Sequence, residues 1–341
     1  MSNRTLIGAL ALIALVLLLL ELRWVLLILF GAVVLAVALD VPIVRLRALL
    51  RLNRPAALVI VMAGLLLLTW GLITLLLPEV IDQVNQLGDL LPGLTRKLAN
   101  LSSHLPWLPE LERQLNQGTL LDRLQPLGSQ LIGVAGGAAS STVQLLLMAL
   151  LAVLMALDPR SHTRLVEAIT PAFYRPRVRQ LLGDCREALG GWLAGMTLSA
   201  VVVFLTTWAG LALLGVPLAL LSGLICGLLT FVPTIGPTAA TLVPVAIAFT
   251  VSPAKVLQVL VLRLVLQNGE AFLLTPILLN RAVNLLPTVA LLSQLCLGAL
   301  LGLPGVLLAL PLVVVLQVLC QEVLVRDLMD HWERSTDRST G

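Results

Sequence analysis

The chain has 341 residues, of which 59% are hydrophobic and 12% are charged, and its formal net charge at pH 7 is +4. Soluble domains average about 45–50% apolar and about 25% charged residues, so a soluble globular protein of this composition would lack a polar coat. Intrinsic disorder is excluded as well, because it requires low hydrophobicity and high charge. The composition is that of a polytopic membrane protein.

Continuous apolar runs divide the sequence, and a helix needs roughly 20 apolar residues to cross a bilayer. Only helices and closed barrels satisfy backbone polar groups in lipid, and runs without alternating polarity do not fit barrel strands. We therefore predict an all-α integral membrane protein with about eight transmembrane helices, two of them interrupted by proline and glycine. The runs lie at about 5–20, 24–39, 55–77, 141–157, 192–214, 217–251, 256–279 and 288–321.

The polar intervals between these runs suggest four parts of the chain. The first run follows Arg4 and no signal-peptidase site comes after it, so we interpret the first two runs as a hairpin of retained spans. The predicted parts are three N-terminal transmembrane helices in 1–77, an extracytoplasmic amphipathic helical segment in 78–140, a transmembrane core in 141–324 with the broken runs 217–251 and 288–321, and a cytoplasmic tail in 325–341.

Basic residues are distributed unevenly among the polar intervals, and cytoplasmic loops carry the excess of lysine and arginine. Intervals 40–54 and 158–191 and the tail are rich in arginine, whereas the longer interval 78–140 has few basic residues. We therefore predict that both termini are cytoplasmic and that 78–140 lies outside. The basic residues are spread over separate loops, so no nucleic-acid partner is expected.

Apolar residues in the external segment recur at alternating spacings of four and three. They are Val80, Val84, Leu87, Leu91, Leu94, Leu98, Leu101 and Leu105. Such a seam is typical of helices that pack side by side. Two interpretations stay open: a helix that lies on the membrane or on the same chain, and a contact between copies in a homo-oligomer. Pro92-Gly93 interrupts the seam, so we do not expect one straight helix through it.

Runs 217–251 and 288–321 are long and contain repeated helix breakers. Each has two glycines four residues apart, a pattern that lets helices approach closely. The breakers are Gly223, Gly227, Pro233, Gly236, Pro237 and Pro244 in the first run, and Gly298, Gly302, Pro304, Gly305 and Pro311 in the second. Paired interrupted segments indicate a transporter binding site. Proline and glycine are also common in ordinary membrane helices, and each run could be a span or a re-entrant hairpin.

Run 256–279 carries polar side chains at membrane depth. Arg263, Gln267 and Glu270 are spaced i, i+4, i+7 and share a helical face, and Asn268 lies beside them. Ionisable residues in membrane helices are costly and are candidates for function, so Glu270 could bind a proton or a cation. The alternative is a structural polar clasp between helices, with Ser293 or Gln294 as partner.

Enzymatic motifs are absent from the sequence, which has no HExxH, GxSxG or nucleotide-binding loop. We therefore expect no enzyme and no catalytic residues, and any active transport would be secondary. The four cysteines and three histidines are scattered, so neither a metal site nor a cofactor is expected.

Short motifs follow one another along the chain in a characteristic order. They are Asp40-Val41-Pro42, Pro78…Gln83, Gly215-Val216-Pro217, Phe231-Val232-Pro233-Thr234-Ile235-Gly236-Pro237, Gln267…Glu270…Thr275-Pro276, Gly302-Leu303-Pro304-Gly305 and Ala309-Leu310-Pro311. Each motif alone has little specificity. Their order and spacing over about residues 6–325 resemble the AI-2E transporter family of bacterial permease-like proteins.

The resemblance implies that the protein exports or exchanges a small solute. Some members of the family export autoinducer-2, and others exchange sodium for protons. It also implies about eight spans and homo-oligomers. We therefore expect a permease of the inner (plasma) membrane that works by alternating access, with the lipid bilayer and a small molecule or ion as partners. A non-transporting oligomeric scaffold is the competing class. The expected pathway residues are Glu270, Gln267, Arg263, Asn268, Pro233, Gly236, Pro237, Gly302, Pro304 and Gly305.

Overall fold

A computed structural model describes residues 14, 17, 18, 20–102, 139–232, 235–274 and 286–329. All regular secondary structure in these ranges is helical, which confirms the all-α class. The helices are α1 (Arg23–Leu50), α2 (Arg54–Ser102), α3 (Ala139–Leu157), α4 (Pro159–Ile169), α5 (Arg175–Leu213), α6 (Ala219–Leu229), α7 (Ile235–Val251), α8 (Pro253–Gly269) and α9 (Pro287–Leu319). A 3₁₀ turn spans Ala172–Tyr174, and π-helical segments span Glu270–Leu274 and Cys320–Met329.

Several described helices are long and apolar enough to cross a membrane, so the protein is multi-pass. These are Arg23–Leu50, Arg54–Leu90, Ala172–Leu213 and Pro287–Leu324. A pair bent by 88° at residue 158, Val143–Leu157 with Pro159–Ile169, adds a fifth only if it forms a single span. The predicted count of about eight is not confirmed. Run 5–20 lies largely outside the described residues, and run 217–251 contains two short helices, α6 and α7, in place of one long helix.

Local sequence explains where two of the helices begin. Asp158 caps α4 by accepting a hydrogen bond from the Ser161 N–H, and Pro159 occupies the first turn, where its missing N–H costs nothing. Ser252 caps α8 in the same way through the Lys255 N–H, again with a proline after the cap. These polar caps satisfy N–H groups that have no partner inside the helix.

The chain divides into two compact units, each built from separate stretches of sequence. The first unit comprises Met1–Val59, Thr142–Trp192 and Arg281–Gly341, and the second comprises Ile60–Ser141 and Leu193–Asn280. Helices α2 and α5 begin in the first unit and continue in the second.

In the first unit, α1 contacts α9, and small residues make the close approach feasible. A Cβ added at Gly31 would lie 3.3 Å from the Leu308 side chain. The C-terminal π-helical segment is tied to the start of α5, because Arg177 forms ion pairs with Glu322 (3.0 Å) and Asp327 (2.9 Å).

In the second unit, α6, α7 and α8 pack together around a buried apolar cluster. Its members are Leu211, Val216, Leu218, Leu221, Ile247, Ala248 and Val259. Val80, Val84 and Leu87 of α2 pack against this cluster, so this part of the heptad seam contacts its own chain. At Pro92-Gly93, where we predicted that one straight helix would not continue, α2 runs through both residues. A proline removes one hydrogen bond, and the turns on either side keep the helix continuous.

Candidate functional site

Arg263 lies in the interior of the second unit and is only 4% exposed. Its Nε donates to the Thr241 hydroxyl (3.1 Å), its Nη1 to the Thr207 hydroxyl (3.1 Å) and its Nη2 to the Pro237 carbonyl (3.4 Å). These hydrogen bonds join α8 to α5 and α7. All three acceptors are neutral oxygens, so the site keeps a positive charge inside the unit. Two threonine hydroxyls and one backbone carbonyl thus hold the guanidinium.

Glu270 directly follows α8 and begins the π-helical segment. Its Oε1 accepts a 2.7 Å hydrogen bond from the hydroxyl of Ser199, a buried residue of α5. The sequence analysis named Ser293 and Gln294 as possible partners of this polar stripe, whereas the described contact of Glu270 is with Ser199.

The other two polar residues of the predicted stripe have different surroundings. Asn268 is exposed, and its side-chain amide donates to the Leu264 carbonyl of the same helix (2.7 Å). Gln267 is half-buried. It lies on α8, between Arg263 and Glu270 in the sequence. The structure thus brings Arg263 and Glu270 into polar contacts with other helices, and leaves Asn268 bonded within its own helix.

The break between α6 and α7 depends on a close approach at Gly236. Its N–H donates to the Val232 carbonyl (2.7 Å), and a Cβ at this position would overlap the carbonyl oxygen of Leu229. Glycine is therefore required here. The carbonyl of Pro237 accepts hydrogen bonds from both Thr241 (2.9 Å) and Arg263, which fixes the start of α7. Pro233 lies outside the described residues.

Helix α9, in the first unit, is broken at Gly302, whose φ of 65° and ψ of −151° are not helical. This combination is almost restricted to glycine. After the break, exposed Pro304 starts the next turn and Gly305 is buried. A Cβ at Gly305 would overlap the Leu297 carbonyl oxygen and lie 2.8 Å from the Leu301 Cβ, so this glycine also permits a close backbone approach.

Gln294 lies two turns before this break and is almost fully buried. Neither atom of its amide has a hydrogen-bond partner among the described residues. Buried amides are nearly always paired, so this one is an exception among the described residues. Neighbouring Ser293 donates to the Ala290 carbonyl of its own helix (2.8 Å).

Sequence reasoning missed Ser199, Thr207 and Thr241, which supply the hydroxyl partners of the two charged groups. Their only signal is that they are polar residues within apolar runs, and such hydroxyls usually bond to their own helix. It also missed buried Asp40, which forms ion pairs with Arg54 (2.5 Å) and Arg186 in the first unit. Helix α1 extends through Asp40 into the interval that we predicted as a polar loop.

Gln83 of α2 has a role that the sequence analysis did not predict, because its side chain caps the start of another helix, α6. Its side-chain oxygen accepts a 2.8 Å hydrogen bond from the Leu221 N–H, near the start of α6. The cap residue Leu218 has no polar side chain to do this. The contact explains why a buried glutamine lies on the otherwise amphipathic α2.

Comparison with known proteins gives consistent matches over most of the chain. The model of the family described as "AI-2E family transporter" matches residues 7–324. The provisionally named transport protein YueF of Bacillus subtilis is 25% identical over 70% of this chain and 69% of its own length. The provisionally named permease PerM of Escherichia coli is 26% identical over 82% of both chains. A provisionally named transport protein of Synechocystis is 28% identical over 77% of both chains. Since the family model covers nearly the whole sequence, this chain belongs to the AI-2E transporter family.

Proposed function

We propose that the protein is a permease that moves a small solute across the membrane by alternating access, with Glu270 as the ionisable group of the pathway. The observation that carries this proposal is the position of the Glu270 carboxylate, at the end of α8 and in contact with Ser199 of α5. Ionisable groups within membrane segments are costly to bury, and they most often belong to substrate or ion pathways.

Two broken apolar segments support the same proposal. Irregular backbone at membrane depth is tolerated where it is buried in protein or lines a water-filled cavity. The first break, between α6 and α7, depends on Gly236 and is fixed by Arg263 through the Pro237 carbonyl. The second is the non-helical conformation of Gly302. Discontinuous helices of this kind form the binding sites of many secondary transporters.

The proposed solute is small and polar, such as an autoinducer-2-like molecule, carried by secondary or facilitated transport. The buried, unpaired amide of Gln294 would donate to and accept from the hydroxyl groups of such a solute. The guanidinium of Arg263 would contribute a fixed positive charge to the pathway.

Exchange of a cation for a proton is the second candidate, and one observation favours it. The Glu270 carboxylate lies within an apolar run and accepts a hydrogen bond from the Ser199 hydroxyl, so it is a group that can bind a proton or a cation. In an exchanger, the titration of Glu270 would be coupled to flux, whereas a facilitator of a neutral solute would not require it.

Location and assembly follow from the sequence and form part of the proposal. The excess of arginine in 40–54 and 158–191 supports a cytoplasmic location for these loops and for both termini, with 78–140 outside. Permease relatives in bacteria support the inner membrane. A homo-oligomer would use the surfaces of α2 that the buried cluster leaves free.

The test is a solute-uptake screen on the purified protein in liposomes, with and without an imposed pH gradient. A permease gives uptake above that of empty liposomes for at least one small polar solute. If uptake increases with the imposed pH gradient, transport is coupled to protons. If uptake is the same with and without the gradient, the protein is a facilitator. A protein that inserts normally and moves none of the solutes or cations would contradict the proposal and favour a scaffold.

A further inference from the structure

Two adjoining cavities of about 490 and 360 Å³ lie in the first unit, and none of the proposed pathway residues lines them. They share Arg160, Thr163 and Arg186 in their walls. We call them the arginine cavities, because six arginines line them: Arg47, Arg54, Arg160, Arg164, Arg179 and Arg186. Four of these six belong to the polar interval 158–191, which the sequence analysis places in the cytoplasm.

Acidic side chains neutralise only part of this charge. Asp40 pairs with Arg54 and Arg186, and Glu167 accepts two hydrogen bonds from Arg179 (2.9 and 2.7 Å). These hydrogen bonds lower the pKa of Glu167, so it stays ionised and compensates Arg179. Asp158 also lines the first cavity, where it caps α4 and its negative charge attracts Arg164, so three carboxylates face six arginines.

Three arginines of the cavities do not form an ion pair with a described carboxylate. Among the residues that the structure describes, Arg47, Arg160 and Arg164 have no carboxylate within ion-pair distance. The guanidinium group presents a fork of N–H donors that matches the oxygens of a phosphate. The cavities therefore carry surplus positive charge in a geometry suited to a phosphate group.

The helix that lines both cavities has two contrasting faces. One face of α4 is directed toward the cavities and carries Arg160, Thr163, Arg164 and Glu167. An apolar face lies on the opposite side of the helix. On that face Leu165 is 65% exposed and Ile169 is 81% exposed. Helix α4 is bent by 88° from apolar α3, so it lies along the membrane surface if α3 crosses the bilayer. This arrangement is typical of an interfacial amphipathic helix, whose apolar face enters the lipid.

We propose that the arginine cavities bind the phosphate of an anionic phospholipid, with the apolar face of α4 among the neighbouring acyl chains. Basic pockets beside membrane helices on the cytoplasmic side recognise such headgroups, and the anionic leaflet attracts nearby arginines. The exposed apolar face decides between a lipid and a soluble phosphate compound, since only a lipid supplies chains to cover it. The site would couple the local lipid composition to the first unit of the permease.

The experiment is native mass spectrometry of the full chain in detergent, titrated with phosphatidylglycerol or phosphatidylcholine. The variant R160Q/R164Q removes two arginines that lack a carboxylate partner, so its fold should be kept. The matched control R45Q/R175Q makes the same charge change at two exposed arginines outside the cavities. Wild type and control should prefer phosphatidylglycerol. The cavity variant should bind it about 25-fold more weakly, or about 2 kcal/mol at 1.4 kcal/mol per factor of ten. Equal binding by all three proteins would overturn the site.

A second pair of measurements separates a lipid from a soluble phosphate. The variant L165S/I169S alters only the apolar face, so it should weaken phosphatidylglycerol binding while leaving Arg160 and Arg164 in place. Glycerol 3-phosphate should compete poorly with the lipid for the wild-type protein. Tight binding of glycerol 3-phosphate that depends on Arg160 and Arg164, without a preference for anionic lipid, would overturn the lipid assignment.

Discussion

Replacing Gly236 by alanine tests whether the break between α6 and α7 needs the close approach of two backbone segments. An added Cβ would overlap the carbonyl oxygen of Leu229 and lie 2.9 Å from its carbonyl carbon. Because the obstacle is backbone, no side chain can rotate away, and the helix ends must move apart. Overpacking costs about 1–3 kcal/mol, and alanine regains about 1 kcal/mol of helix propensity. The overlap is severe, so we take the upper end and expect a net loss of about 2 kcal/mol.

Gly71→Ala on α2 is the matched control, because nothing lies within 4 Å of its added Cβ. Here alanine should leave stability unchanged or raise it by up to about 1 kcal/mol. The assay is thermal unfolding of both variants in the same detergent. At roughly 2–4 °C per kcal/mol, Gly236→Ala should lower the Tm by about 4–8 °C. Equal midpoints for the two variants would refute the reasoning.

Two other substitutions test the remaining structural claims in the first unit. Asp40→Ala leaves Arg54 and Arg186 without their shared carboxylate and should cost about 2 kcal/mol, less than for a fully buried pair because Arg186 is half exposed. Chemical or thermal unfolding measures this loss, with half-buried Asp184→Ala as the control expected to change little. At Gly302 the backbone has a conformation that residues with a Cβ rarely adopt, so Gly302→Ala should lower the free energy of unfolding by about 1–3 kcal/mol. Gly183→Ala, where a Cβ meets nothing within 4 Å, should be neutral in the same measurement, and a matching loss there would argue against backbone strain at Gly302.

The sequence predicted the membrane class and the all-α fold because long apolar runs leave few other solutions in lipid. It predicted that proline and glycine interrupt run 217–251, but not the contact that allows the chain to divide there into α6 and α7. That division depends on how closely the Gly236 backbone approaches Leu229, which is a tertiary contact. Similarly, α1 extends into a charged interval in which Asp40 pairs with Arg54 at the end of that interval and with Arg186, which is 146 residues away in sequence.

The candidate site shows the same limit. Helical spacing placed Arg263 and Glu270 on one face of a membrane helix, and the structure gives each a polar partner on another helix. The partners Ser199 and Thr207 lie more than fifty residues before them in the chain, and nothing in the pattern of an apolar run distinguishes them from hydroxyls bonded to their own helix. The heptad seam likewise predicted a packing face, but only the structure shows that Val80, Val84 and Leu87 pack on their own chain.

The most direct measurement of the central claim is the initial rate of flux through Glu270→Gln in liposomes, using a solute that the wild-type screen selects. The matched control is Glu187→Gln, an exposed acid on α5 that undergoes the same chemical change. The variants must insert equally, as judged by the amount of protein recovered in the liposomes. The account predicts that Glu270→Gln loses transport while Glu187→Gln keeps it. Undiminished flux through Glu270→Gln would contradict the assignment of this carboxylate to the pathway.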